Sequence, residues 1–199
     1  MSGERTVQLR VGRADEADAL WVLRTRCVRE LCSAAYPPEV IAPWSATPPP
    51  AHYRALLAAG GCVVAEDSDG ALLGYGVIDR DGNEIDALFV DPDCGGRGIG
   101  LTLMQAMEAL ADPARPLVLS ASLNAVPFYT RCGFEALREE RYPHPSGIAL
   151  ASVRMQRTLP RCCARQGASL VVPAAGRHLA IYACASQATT PRPARSPLA

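Results

Sequence analysis

Residues 82–111, GNEIDALFVDPDCGGRGIGLTLMQAMEALA, contain the junction that decides the fold. The first nine read as a strand, and Leu103, Met107 and Leu110 fall on one face of a helix over 101–111. Between them, VDPDCGGRGIG (90–100) places four glycines and one arginine at a strand-to-helix turn. Such a turn leaves main-chain N–H groups bare beside the positive end of a helix, and together they attract an anion. Two familiar phosphate loops fail on spacing. A Walker loop needs Gly-Lys-Ser/Thr, and the chain has no lysine. A G-x-G-x-x-G fingerprint started at Gly96 meets Leu101, and one started at Gly98 meets Leu103.

Outward from this junction the pattern is αβ. Upstream, TVQLRVG (6–12) alternates as a half-buried strand. Asp15 then reads as the cap of a helix, with Asp18 three residues on and Leu20, Leu23, Cys27 and Leu31 at helical spacing. Residues 34–50 read as a proline-studded loop, and Pro50 opens a short helix ended by Gly60. CVVAED (62–67) and ALLGYGVID (71–79) form a hairpin, with 82–90 as the third strand of that meander. Downstream come a strand at 116–122, a short helix at 125–133, and two closing strands, 134–142 and 148–159.

Composition sets the bounds. A 199-residue chain with 49% hydrophobic and 20% charged residues suits one soluble domain with a full core. No apolar run nears the ~18 residues of a membrane span. MSGERTVQLR lacks the apolar segment of a signal peptide, so the expected address is the cytoplasm, with no membrane partner. Eight cysteines without a Cys-x-x-Cys pair, and three scattered histidines, point to reduced core thiols and no metal. All twenty acidic residues precede position 160, against fifteen arginines there, a formal −5. Residues 160–199 hold five arginines and no acid, and read as a low-complexity, mostly disordered basic appendage to a domain at 1–159. Without clustering or interleaved aromatics, that tail is a weak signal for nucleic acid.

The order strand, V-x-P, loop, R-G-x-G, helix resembles the GNAT superfamily of acetyl-CoA-dependent N-acetyltransferases. A second stretch, ASLNAVPFYTRCGFE (121–135), is similar to the family's other motif through Ala125, Phe128, Tyr129, Gly133 and Phe134. The resemblance covers about residues 6–159. It implies an α/β fold: a mixed, mainly antiparallel sheet of six or seven strands flanked by about four helices; the helix joining strand 84–90 to 117–121 makes those two parallel by crossover. It also implies acetyl-CoA as co-substrate. Leu88, Phe89 and Val90 would hold the pantetheine arm, and Gly95, Gly96, Arg97, Gly98, Ile99, Gly100 and Leu101 the pyrophosphate. The family pattern usually has Gln or Arg where Gly95 stands. Ser122 stands where an Asn is usual, with Asn124 nearby as its substitute, and both count among the cofactor-binding candidates.

The resemblance assigns Tyr129 as the general acid, a phenol that stays protonated at neutral pH. For the base, Glu84 and Asp86 alternate onto one strand face, expected to be shared with Leu88 and Val90, and Glu84 is preferred. A nucleophilic Cys132 or Cys94 is the alternative, disfavoured because neither has a histidine nearby in sequence. Tyr36 and Trp44, in the segment that covers the acceptor in this superfamily, are the substrate-binding candidates. The expected reaction is acetyl transfer to a primary amine of a small molecule in a ternary complex; the competing reading is a non-catalytic acyl-CoA-binding or regulatory module. The oligomeric state is left open, a homodimer included.

Overall fold

The hairpin expected around residues 68–70 forms in the computed structural model, which describes residues 7–159. The tail at 160–199 lies outside the described residues. β2 (Cys62–Glu66) and β3 (Leu72–Asp79) pair antiparallel, turned by Gly70 at φ +81°. β1 (Gln8–Val11) adds to the outer side of β2, and β4 (Glu84–Val90) completes the meander on β3. The chain then crosses over through α4 (Ile99–Leu110) and returns as β5 (Leu117–Ser122), parallel to β4 as expected of a helical crossover. β6 (Glu135–Pro143) and β7 (Ala149–Arg157) finish a seven-stranded mixed sheet of order β1-β2-β3-β4-β5-β7-β6. β4 with β5 is its one parallel pair among the described residues.

Five α-helices flank the sheet rather than about four: α1 (Ala17–Leu31), α2 (Pro38–Ala46), α3 (Ala51–Ala58), α4 and α5 (Val126–Arg131). The extra one, α2, forms inside the proline-rich stretch expected to be a loop. Pro37 is extended and caps it, and Pro38 takes the first helical position, where a missing N–H costs nothing. The start of α1 also differs from expectation. Asp15 does not cap it; Ala14–Glu16 forms a 3-10 turn, and the Glu16 carboxylate accepts the Arg13 N–H at 2.8 Å. Glu16 is the better anchor because Arg10 on β1 also reaches it, at 2.6 and 2.9 Å, tying the turn to the sheet. Leu20, Leu23 and Cys27 are buried as the spacing predicts, whereas Leu31, in the last turn, is exposed.

Two apolar layers sandwich the sheet. On one face Leu103, Met104 and Met107 of α4 pack with Val63, Leu119 and Met155. On the other, Leu20 and Leu23 of α1 and Tyr53 and Leu57 of α3 pack with Val64, Tyr75 and Val77. Glycines in β3 set how closely its neighbours approach. A Cβ on Gly76 would lie 2.9 Å from the Met107 sulfur; one on Gly74 would lie 2.8 Å from the Phe89 carbonyl oxygen and 3.1 Å from Leu103. The Met107 side chain can yield, but the β4 backbone cannot. Gly74→Ala is therefore expected to lower stability by roughly 1–3 kcal/mol, as overpacking does, or about 3–10 °C in Tm for a chain of this size. A melting curve superimposable on wild type would show that β3 and β4 have slack at this point.

Candidate active site

The parallel pairing of β4 with β5 is short. It runs through Glu84↔Val118 and Ile85↔Leu119, and beyond these residues the strands separate. Register shows what β4 offers to the gap. The Asp91 N–H donates to the Leu73 carbonyl at 2.9 Å, which makes Gly74 and Val90 a non-hydrogen-bonded pair. Tyr75 and Phe89 are therefore the hydrogen-bonded pair, and the N–H groups of Leu88 and Val90 turn away from β3 toward the separated side. Of the three residues expected to hold an extended ligand, Leu88 and Val90 have free amides for it and Phe89 does not. The Val90 carbonyl accepts the Cys27 thiol of α1 at 3.2 Å.

The glycine loop continues directly from this strand. Pro92–Cys94 makes a 3-10 turn in which the Asp91 carboxylate accepts the Asp93 N–H at 2.9 Å. Gly96 and Gly98 then take positive φ, +74° and +78°, and a Cβ at either would meet nothing within 4 Å. Glycine is needed there for the turn of the backbone, since space is plentiful. In α4 the Thr102 N–H donates to the Gly98 carbonyl at 3.0 Å, so the amides of Ile99, Gly100 and Leu101 precede the first intrahelical bond. A Cβ on Gly100 would press on the Phe128 ring at 3.3 Å, which explains the third glycine by close approach. Gly95 and Arg97 are exposed at the rim. Arg26 of α1 braces the loop from below through Asp91 at 2.9 Å and Asp93 at 2.8 Å.

Beside the gap lies a cleft of about 280 Å³, floored by β4 and β5 and reached by Tyr129, Glu84, Asp86, Ser122 and Trp44. Tyr129 is 7% exposed; its ring packs edge-on to Phe128 and Phe134, and burial pushes its phenol well above the ordinary tyrosine value. Both carboxylate oxygens of Glu84, the expected base, are held by Arg154, one of them at 3.1 Å. The two bonds form a bidentate pair between β4 and β7. A bulge corrects the expected strand face. Val77 lies opposite Ala87 while Ile78 lies opposite Ile85, leaving Asp86 as the extra residue on β4. The alternation slips there, so Leu88 and Val90 pack with the α4 layer while Glu84 and Asp86 line the cleft. The cleft leaves Asp86 open to water, yet protein surrounds it closely enough for desolvation to raise its carboxyl above the usual range. His52 opposes that shift; Glu84 and Asp79 add to it.

The far wall contains a group that the spacing of α1 concealed. Arg24 is 4% exposed, lines the cleft, and donates through Nη1 to the Trp44 carbonyl at 2.8 Å. Its guanidinium lies 4.5 Å from the Trp21 ring centre and 5.7 Å from that of Trp44. Among the described residues no carboxylate pairs with it. Burying a charge without a counter-ion costs several kcal/mol, and each aromatic face offsets about 0.5–2, so the balance is unfavourable. Three buried hydroxyls of the same cleft, Tyr53, Tyr75 and Ser152, also lack a hydrogen-bond partner. The two phenols influence each other's acidity without meeting in bonding geometry.

The architecture has known relatives. The family model for the acetyltransferase (GNAT) domain matches residues 32–157. The chain belongs to the GNAT family. The uncharacterized N-acetyltransferase YafP of Escherichia coli is 29% identical over 135 residues, covering 68% of this chain and 85% of that one. A crystal structure of a GCN5-related N-acetyltransferase from Rhodopseudomonas palustris is 27% identical, with a TM-score of 0.68 over 78% of this chain and 98% of the other. YncA of Salmonella typhimurium, a putative acetyltransferase solved with acetyl-CoA, shares the fold at 19% identity, with a TM-score of 0.56 over 81% of this chain and 98% of its own. Family membership makes the chain an acyltransferase.

Within this GNAT frame the remaining candidates sort by position. Ser122 lines the cleft; Asn124 lies on the exposed turn after β5, its side chain directed to the Cys32 thiol. Cys27, Cys32, Cys62 and Cys132 are buried free thiols and Cys94 is half-buried. No described helix is long and apolar enough to cross a membrane. Trp44 reaches the cleft, but Tyr36 does not line it. The Tyr36 hydroxyl donates to the Ala151 carbonyl at 2.6 Å and accepts the Leu123 N–H at 2.8 Å, a pin between the lid segment and the ends of β5 and β7. Tyr36→Phe removes both bonds to part-buried backbone groups, at about 1 kcal/mol each or less where water can replace them, and is expected to lower Tm by a few degrees. A variant that melts like wild type but shows a changed acceptor KM would return Tyr36 to substrate binding.

Proposed function

We propose that this GNAT chain moves an acetyl group from acetyl-CoA to a primary amine of a small molecule, directly, within a complex of enzyme and both substrates. The observation that supports this reading is the separation of β4 from β5, with the Leu88 and Val90 amides turned into the gap and the loop 95–101 at its end. The shape fits the coenzyme's two parts: an extended amide-rich arm for the strand amides, and a diphosphate for the amides of 96–101 at a helix N-terminus. A fold neighbour solved with acetyl-CoA is consistent with it. Acetyl-CoA supplies a thioester whose carbonyl an amine can attack.

The chain's residues supply orientation and proton transfer. Leu88 and Val90 fix the arm by main-chain bonds, the proximity contribution. Ser122 lines the far side of the gap. Gly96, Gly98 and the amides of Ile99, Gly100 and Leu101 take the diphosphate, with Arg97 adding charge at the rim. Tyr129, its phenol kept protonated by burial, gives a proton to the departing thiolate. Asp86, rather than the Arg154-bound Glu84, accepts the ammonium proton: it lines the cleft, and its raised affinity for protons suits a base. The cysteine among the cleft's lining residues is Cys32, whose thiol burial pushes up to about 11, so it stays neutral and unreactive near pH 7. That favours direct transfer over an acyl-enzyme.

Thiol release from acetyl-CoA with a panel of amines tests the reading; tight coenzyme binding without turnover on any amine would favour the non-catalytic module. Tyr129→Phe is expected to lower kcat by ~10²-fold or more with coenzyme Kd nearly unchanged. Unaltered kcat would remove Tyr129 from the reaction. Asp86 is inactive when protonated, so kcat/KM should rise with pH through a limb lying above the ordinary carboxylate range. Asp86→Asn should erase that limb and cost ~10²-fold in rate; if Glu84→Gln erases it instead, the base is Glu84.

A further inference from the structure

We propose that the acceptor is a zwitterion: a small molecule bearing, besides its amine, a carboxylate that docks on Arg24. This rests on the acetyl-transfer reading above and names the substrate class of that site. A lone positive group, almost wholly buried, faces a cleft and uses one of its five N–H donors on the protein, through Nη1 to the Trp44 carbonyl. A carboxylate is the planar anion that a guanidinium fork binds through two parallel bonds. The groups around Arg24 agree. Tyr53 and Tyr75 lie within its electrostatic reach, and their hydroxyls, like that of Ser152, lack partners. His144, half-buried on the rim, also feels its charge.

The cleft has a second pole. Tyr53 feels both Arg24 and Asp86, so it lies within reach of the cationic wall and of the proposed base on the β4 floor. A ligand spanning the two places its ammonium by Asp86, where it loses its proton, and its carboxylate by Arg24. A plain alkylamine satisfies one pole and leaves the other buried and unpaired. Trp21 and Trp44, the two tryptophans of the chain, both stack on Arg24, which gives the site an optical reporter.

The test uses the full chain with acetyl-CoA and the twenty common amino acids, each paired with its carboxamide. Wild type is expected to favour at least one acid over its amide by ~10-fold or more in kcat/KM. Arg24→Gln should bring that ratio to within about threefold of unity through KM, with acetyl-CoA affinity retained. Amides used as well as acids, or a preference that persists in Arg24→Gln, would overturn the proposal. Should no amine be acetylated, titrating the same panel into protein with coenzyme A and reading tryptophan fluorescence still decides. A response to acids but not amides, lost in Arg24→Gln, supports the anion site while the transfer reading fails; equal responses, or none, overturn it. If Arg24→Gln does not fold, Arg24→Lys replaces it and is expected to weaken the acid preference at least threefold, an unchanged ratio counting against the proposal.

Discussion

Two paired residues, and then separation: the arrangement of β4 and β5 is the constraint on which the rest of this molecule depends. A strand inside a sheet normally bonds on both sides, and a bare row of amides in a protein interior is costly. Here β3 satisfies alternate residues of β4, while the other alternate set faces a gap. The sheet is thus incomplete at its centre, where β4 and β5 pair only through Glu84↔Val118 and Ile85↔Leu119. The glycine loop follows from the same strand without an intervening element, so strand and loop present their amides as one continuous surface.

Around that gap the charges are arranged by backbone irregularity more than by side-chain choice. The bulge at Asp86 turns Leu88 and Val90 to the α4 layer and leaves two carboxylates facing the cleft. Arg154 of β7 then distinguishes them: it neutralises Glu84 and leaves Asp86 without a guanidinium, surrounded by enough protein to hold its proton more tightly than usual. Two acids two residues apart thereby have different ion-pair partners among the described residues, one a guanidinium and the other none.

Much of this was legible in the sequence because its signals are local. Strand alternation, the glycines at 95–100 and the second motif at 121–135 fixed the order of elements, the parallel crossover and the loop, since turn chemistry and periodicity act over a few residues. What escaped was set by distant partners. The partner of Glu84 lies seventy residues away on β7, and no pattern around position 84 announces it. A bulge depends on the register of the strand opposite, so alternation along β4 alone misassigned its face. Pro37 and Pro38 read as a break, though proline is at home at a helix start, and the apolar pair Val40 and Ile41 was the available hint of α2. Arg24 carries no local motif of its own; its place between Leu23 and Cys27, both buried, is the signal that marks it as inward-facing.

The Tyr36 pin has a mechanical side. A single phenol oxygen joins the segment leading into α2 to Leu123, just past the end of β5, and to Ala151 on β7. Tyr36, Trp44, Val40 and Ile41 also pack with Phe89, Leu150 and Ala151, so the phenol adds a directional tie to a contact that is otherwise apolar. The geometry at the end of β5, and with it the edge of the central gap, is thereby tied to the placement of a residue more than eighty positions earlier in the chain.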